Sequence, residues 1–441
     1  MIGMRAFMAI LLGILLVSLT GCGESPQSAV KSGLNGKPRT TIVFWNENAA
    51  ADRTAYYQEL IQQFEQENPD IRVEYVGLPK KAARLKINTA ITTNELPDVC
   101  GVQSAWIAEF CNKGVLMNLD PWFDQWEGKD DLLSSVIAGN RRLAKDGGLY
   151  QLPNTMGLEI LWYRSDWFAE AGIAPPTDWD SFFQDVEQLT DASRGRYGYT
   201  MRGGDGAGLQ LLRTMFAYSG FTQFFDANGK CVINDPVHVS FLQRYISLYR
   251  RNTPTSDITN GYQEMVAAFD TGQAAMMQHN LGSYGSHQRS LAPAQFAALL
   301  LPRSLKGTIV QEANNVDGYG IFQSTKHPEA AWRFVSFLCS AKAQSWWNER
   351  IGQIPVSHQA LADEWVSKTP HMRLARQALE SDKIRFYMPP MYLPEYRKII
   401  DGSDAAVEQM LMGNLSPQTF LDQWAAKFEQ AERAYRQEQQ Q

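Results

Sequence analysis

The chain has 441 residues, 44% hydrophobic and 20% charged, enough for roughly two or three domains with substantial cores. Its 41 Lys+Arg against 47 Asp+Glu give a formal charge of −6, which argues against a nucleic-acid partner and gives no basic patch for anionic polymers. Among its cysteines none lies close enough to another for a zinc pattern.

The chain opens on Arg5, an uncharged apolar run from Ala6 to Leu19, then Thr20-Gly21-Cys22. The run is shorter than the roughly 20 apolar residues a spanning helix needs, and a positive residue precedes it, as in an export signal. With Cys22 at its end it resembles the signal peptide and lipobox of bacterial lipoproteins. That resemblance implies removal of residues 1–21, acyl chains on Cys22, and a protein exported and lipid-anchored to the cell membrane, on its periplasmic side or outer surface. Residues 22–39 carry Ser25, Pro26, Ser28, Ser32, Gly33, Gly36 and Pro38 and read as a flexible tether.

Strand-like and helix-like segments then alternate. Thr40 to Trp45 reads as a strand. Tyr57, Leu60, Ile61 and Phe64 share a helix face closed by Asn68-Pro69, and Ile71 to Val76 reads as the next strand. Lys80 to Thr93 is a helix, followed by Leu96-Pro97-Asp98-Val99. Strands are expected again at Leu149–Leu152 and Glu159–Tyr163. A helix is expected at Asp178–Asp191, with Trp179, Phe182, Phe183, Val186 and Leu189 on one face and a capping box from Thr177. Further helices fall near Val237–Tyr249, Ala330–Leu338, Pro394–Leu411 and Thr419–Arg436. Such strand-helix-strand alternation predicts an α/β fold with helix-covered sheets.

Catalytic signatures are missing. The six histidines form no HExxH and no close pair, and neither GxSxG nor GxxxxGK occurs. Gly204–Gly208 reads as a flexible glycine loop, and Asp226–Gly229 as a hairpin turn. Cys100 and Cys111 flank a short helix and are a possible disulfide; otherwise they, Cys231 and Cys339 are small buried apolar residues.

Several segments resemble one family in its order: Leu96-Pro97-Asp98-Val99, Glu170-Ala171-Gly172-Ile173 through Pro176-Thr177-Asp178-Trp179, Phe269-Asp270-Thr271-Gly272-Gln273-Ala274-Ala275-Met276, His327 to Phe334, and Ile354-Pro355-Val356. The family is the extracellular solute-binding proteins of bacterial ABC importers, in the sugar-binding group like maltose-binding protein. The resemblance implies a two-lobed periplasmic-binding-protein fold of type II, each lobe a mixed sheet flanked by helices, with a hinge between them. It places the N-terminal lobe at 40–153 plus 303–356 and the C-terminal lobe at 154–302 plus 357–441. Crossings are expected near Leu152–Met156, Leu301–Ser304 and Pro355–Gln359.

Twelve Trp and 17 Tyr suit carbohydrate, whose C–H faces pack on rings while its hydroxyls need fixed polar partners. Positions that reach the cleft in this family give the expected ligand contacts. After the first strand these are Trp45, Asn46 and Glu47, the last two either binding hydroxyls or capping the next helix. Gln103, Ser104 and Trp106 follow the LPDV segment, Trp106 as a stacking ring or as packing for its own helix. Asn154 and Met156 lie on the first crossover. His279, Asn280 and Tyr284 follow Ala275-Met276, Tyr284 standing in for a tryptophan that many members carry. Asn315, Asp317 and Tyr319 belong to a returning strand, with Asn314 beside them, and Tyr387 and Tyr392 to an aromatic loop.

The resemblance thus implies a monomer without cofactor, metal or catalytic residues. It would capture a mono- or oligosaccharide and deliver it to ABC transporter permease subunits. The rival readings are a non-sugar solute such as a polyamine or peptide, and a surface glycan-degrading enzyme with a carboxyl pair across its cleft.

Overall fold

The computed structural model describes residues 39–440; the apolar leader, Cys22 and the tether up to residue 38 lie outside them. Its strands are β1 (Thr40–Asn46), β2 (Ile71–Gly77), β3 (Val99–Gln103), β4 (Leu152–Met156), β5 (Glu159–Tyr163), β6 (Met276–Asn280), β7 (Ala297–Leu300), β8 (Ile309–Glu312), β9 (Val316–Ile321), β10 (Ile354–Pro355) and β11 (Ile384–Tyr387).

The first lobe is built on a six-stranded sheet in the order β10-β4-β9-β3-β1-β2. β1 runs parallel to β2 and β3, while β9 returns antiparallel to β3 and β4. Alternation in β1 turns Ile42 and Phe44 onto one face, where the helix Ala51–Glu67 brings Tyr57, Leu60, Ile61 and Phe64. Phe334 of the helix Pro328–Leu338 closes that core with its ring centroid 5.4 Å from Phe44.

The second lobe carries an antiparallel sheet β6-β5-β7 and a parallel pair β11-β8. Its core is aromatic: Phe216 stacks on Tyr387 at 4.3 Å and on Phe224 at 5.7 Å. The chain changes sheets between β4 and β5 at Gly157-Leu158 and between β8 and β9 at Ala313–Asn315. The second exchange falls about a dozen residues beyond the expected return at Leu301–Ser304, because β8 still pairs Ile309 with Ile384 of β11.

Several expected bounds move for local reasons. The 178–191 helix spans Trp179–Gln188; its cap is Asp178, which accepts from Ser181 N, rather than Thr177. The fourth strand starts at Leu152, three residues later than expected, since Leu149 O is used by Leu119 N. The stretch 394–411 breaks into Tyr396–Asp401 and Asp404–Leu411 at Gly402-Ser403. Cys100, Cys111, Cys231 and Cys339 are all free thiols. The possible Cys100–Cys111 bridge is not formed: Cys100 Sγ turns to Gly101 O at 3.1 Å inside the core, while Cys111 lies at the half-buried end of its helix.

Buried histidines make this fold acid-sensitive. His371 is 2% exposed with both ring nitrogens unpartnered, and burial pushes its pKa down to about 3, that of His238 to about 4. In the unfolded chain both titrate near 6.5. Depressed folded values mean that their stability contribution is present above about 6.5 and is lost as pH falls toward the folded values. Each such ring steepens the loss by about 1.4 kcal/mol per pH unit. Urea unfolding between pH 6.5 and 4 is expected to show a slope lower by about that amount in His371→Leu; an unchanged slope refutes the assignment.

Candidate functional site

β1, β2 and β3 end on the same edge of the first sheet, where the loops after them meet the second lobe, the usual place for ligands in open α/β sheets. Glu47, one residue past β1, is 7% exposed and its carboxylate has no hydrogen-bond or ion-pair partner among the other described residues. A Cβ at Gly101 would sit 1.7 Å from Glu47 Oε2, so only glycine at that point of β3 leaves room for the carboxylate. Asp317 lies opposite Gln103 in the β3–β9 register, half-buried and also unpaired. Burial first, and for Glu47 the adjacent Asp317, holds both carboxyls above the usual range; Lys80 and Arg53 pull them back.

From the second lobe, Tyr262 opens the helix Tyr262–Asp270 and faces this edge. The Lys80 ammonium of the first lobe lies 5.4 Å from its ring centroid, and the Arg202 guanidinium of the second lobe 5.8 Å. Behind Tyr262, His279 is 1% exposed, packs its ring 4.0 Å away, and stays neutral because burial lowers its pKa.

Local chemistry fixes Arg202 beside Tyr262. Asp257, fully buried, accepts from Thr200 Oγ1 at 2.8 Å, Met201 N at 2.6 Å and Asn260 Nδ2 at 2.9 Å. The segment before Arg202 and the turn before Tyr262 are thereby tied to one carboxylate. Gly203 and Gly204 let the two segments touch: Cβ atoms there would lie 2.5 Å from Asp257 O and 2.2 Å from Thr259 O. The segment expected to be a flexible glycine loop is therefore a close-packed one at its start. At its end Asp404 accepts from Gly206 N and Gly208 N, both at 2.9 Å.

The lobes touch through ion pairs. Arg84, on the helix Lys80–Thr93, reaches Asp401 of the second lobe at 3.0 Å and Glu109 of its own at 3.3 Å; Arg397 shares Asp401 at 2.8 Å. Nearer the crossovers, Arg213 is clamped between Glu159 at 2.9 Å and Glu312.

Of the expected contacts, the structure gathers Glu47, Gln103 and Asp317 at this edge, with His279 one layer behind. Asn46 instead donates to Tyr75 Oη and takes Asn48 N, which shapes its own turn. Trp45 points to the other sheet face, under Lys86 at 5.2 Å. Ser104 is bonded to Val316 O at 2.8 Å, and Trp106 is 4% exposed in the core beside Phe110. Asn154 donates to Tyr319 Oη, which also meets Tyr57 Oη, all inside the first lobe. Asn280 caps Gly282 N, and Tyr284 stacks on His371 at 4.0 Å. Tyr387 is core, and Tyr392 donates to Glu432 at 2.6 Å. These are structural roles, and sequence could not separate them because ring and amide composition is the same in both settings.

Met156 and Asn315 line a different interlobe cavity of about 760 Å³, walled by Leu158, Leu379, Phe386 and Met388 against the crossovers. Its surface is mostly apolar, with Arg142, Glu312, Asn315, His358, Arg376 and Glu380 among its polar lining. One catalytic-looking set does occur. His287 Nδ1 meets Asp270 Oδ1 at 2.5 Å and His287 Nε2 meets Ser283 Oγ at 3.0 Å. Ser283 is 2% exposed and His287 is fully buried beneath Trp162, Phe269 and Phe296, so no substrate reaches the hydroxyl. Lys80, Arg53, Arg202 and Tyr262 were not singled out from sequence; only the glycines after Arg202 hinted at a close approach there.

Comparison with known proteins gives the family and the fold. The family described as bacterial extracellular solute-binding protein matches residues 50–345. An arabinooligosaccharide-binding protein of Bacillus subtilis is 24% identical over 375 residues, 81% of each chain. A mannitol-binding protein of Pseudomonas aeruginosa is 28% identical over 229 residues, 50% of each. Among solved structures, the GacH receptor of Streptomyces glaucescens, described unliganded and with acarbose, superposes with a TM-score of 0.77 at 21% identity, covering 90% of this chain and 99% of that one.

Proposed function

The chain belongs to the bacterial extracellular solute-binding protein family, and from that premise we propose that it captures a mono- or oligosaccharide between its lobes for an ABC importer. The observation that carries this is the cleft edge itself. Tyr262 from one lobe meets Lys80 from the other, and the Lys80 charge acts on Glu47 and Asp317, so the ring and two carboxylates without ion-pair partners share one cleft edge. Sugar rings pack on such a face while their hydroxyls meet the carboxylates and the ammonium. The names of the arabinooligosaccharide-binding and mannitol-binding relatives support the same class of solute.

Binding favours closure because the solute touches both lobes only when they meet, and a ligand shifts a conformational equilibrium only through differential affinity. The crossovers at Gly157-Leu158 and Ala313–Asn315 move the expected lobe bounds, giving 40–156 plus 316–356 for the first lobe and 159–312 plus 357–441 for the second, and the lobes swing about those crossovers. The closed protein then docks on the permease subunits. Lipid on Cys22, with residues 22–39 as tether, keeps the exported monomer at the membrane where that docking happens. Labelling with radioactive palmitate, and its loss in Cys22→Ser, tests the anchor.

Thermal unfolding against a panel of mono- and oligosaccharides and alditols tests the capture. A solute at 100 times its dissociation constant is expected to stabilise by about 2.7 kcal/mol. No shift with any of them would remove the sugar reading.

A further inference from the structure

Arg202 stands out electrostatically. Arg84, Arg164, Arg213 and Arg397 each hold a carboxylate within 4.0 Å. Arg202 has no ion-pair partner among the described residues, and its Nε is shielded from solvent with no hydrogen bond. Glu159, the strongest favourable charge acting on it, is already taken by Arg213 at 2.9 Å. Asp257 spends its oxygens on Thr200, Met201 and Asn260.

Closure makes this worse. Lys80 of the first lobe and Arg202 of the second both lie within 6 Å of the Tyr262 ring centroid, so bringing the lobes together brings two like charges together. Cation–π contact returns only a modest part of that cost at each site. Asp317 and Glu47 act on Lys80 and Arg53 from the first lobe; neither is paired with Arg202. An anion between the two lobes turns the repulsion into attraction in the closed state alone, the condition for driving closure. A guanidinium fork suits a planar carboxylate best, through two parallel N–H···O bonds.

We propose that the captured solute is a sugar acid whose carboxylate takes the fork of Arg202, with Lys80 approaching from the opposite lobe and the sugar hydroxyls on Glu47 and Asp317. This inference rests on the reading of the cleft as a saccharide site.

Calorimetric titration of the whole protein with matched pairs tests it: galacturonate against galactose, glucuronate against glucose, gluconate against sorbitol, their oligomers where available, and glucose 6-phosphate as a phosphate arm. The acid of at least one pair is expected to bind about tenfold or more tighter than its neutral partner, the scale of a charge-assisted hydrogen-bond pair. The gap is expected to narrow with added salt and to vanish in Arg202→Gln. Lys80→Gln, at the exposed start of its helix, is expected to narrow it and guards against a folding defect in the first variant. Neutral sugars binding as tightly as their acids overturn the charge inference and leave the saccharide reading standing. A preference for the phosphate overturns the carboxylate assignment. Failure of every member to bind overturns both readings.

Discussion

Replacing Arg213 by alanine is expected to lower the unfolding free energy by about 3–5 kcal/mol at neutral pH, the cost of leaving buried charges without their partner. Arg213 is 14% exposed and holds Glu159, 7% exposed, and Glu312, 2% exposed. It sits on the helix Ala207–Ser219, and its two partners belong to β5 and β8, strands of different sheets. Gln311 adds a second tie by donating Nε2 to Glu159 O at 2.9 Å while its Oε1 accepts from Glu159 N at 3.2 Å. The arginine therefore joins the two small sheets of the second lobe beside the β8–β9 crossover.

The pH dependence distinguishes lost charge from lost packing. Burial raises the Glu312 pKa even with Arg213 present. Without the guanidinium the Glu312 carboxyl rises further above its unfolded value near 4.3. A raised folded value means that stability is retained at acid pH and lost as pH climbs through that value. The deficit relative to the unsubstituted protein is thus expected to be largest at pH 8 and to shrink toward pH 5, measured as the difference in urea unfolding so that the histidine contribution cancels. A deficit below about 1 kcal/mol, or one flat with pH, would show that the clamp does not act through charge.

Architecture was legible in sequence because the same pattern is written many times. Apolar periodicity placed Tyr57, Leu60, Ile61 and Phe64 on the buried face they occupy, and the Phe182-Phe183-Val186 stripe did the same for its helix. The Asp226–Gly229 turn was readable from its residues, with Asp226 Oδ1 accepting from Asn228 N and Lys230 N. At Asp178 a single capping hydrogen bond moved the bound.

The cleft was only partly legible. Glu47, Gln103 and Asp317 could be placed because they follow or enter strands whose ends lie on one edge. Tyr262, Arg202 and Lys80 could not, since each sits at a helix start or loop whose direction depends on contacts between distant segments, such as Asp257 with Met201. The expected tyrosines erred for the complementary reason: Tyr319 and Tyr387 have the right chemistry but are 2% and 1% exposed within the lobes.

Tyr262 is the residue on which solute capture turns. It is the ring that both Lys80 and Arg202 approach, and its hydroxyl reaches Asn280 Oδ1 at 3.4 Å. Tyr262→Ala removes the stacking surface, the two cation contacts and the cover over His279. Stacking and cation–π terms together amount to about 2–4 kcal/mol, so the dissociation constant of a bound sugar is expected to rise about a hundredfold. Tyr262→Phe keeps the ring and is expected to cost less than about tenfold, because the hydroxyl makes only one long hydrogen bond. Calorimetric titration of both variants, with thermal unfolding of the ligand-free proteins to confirm intact folds, checks this. Equal losses in the two variants would assign the effect to the hydroxyl, and unchanged affinity in Tyr262→Ala would move the solute out of this cleft.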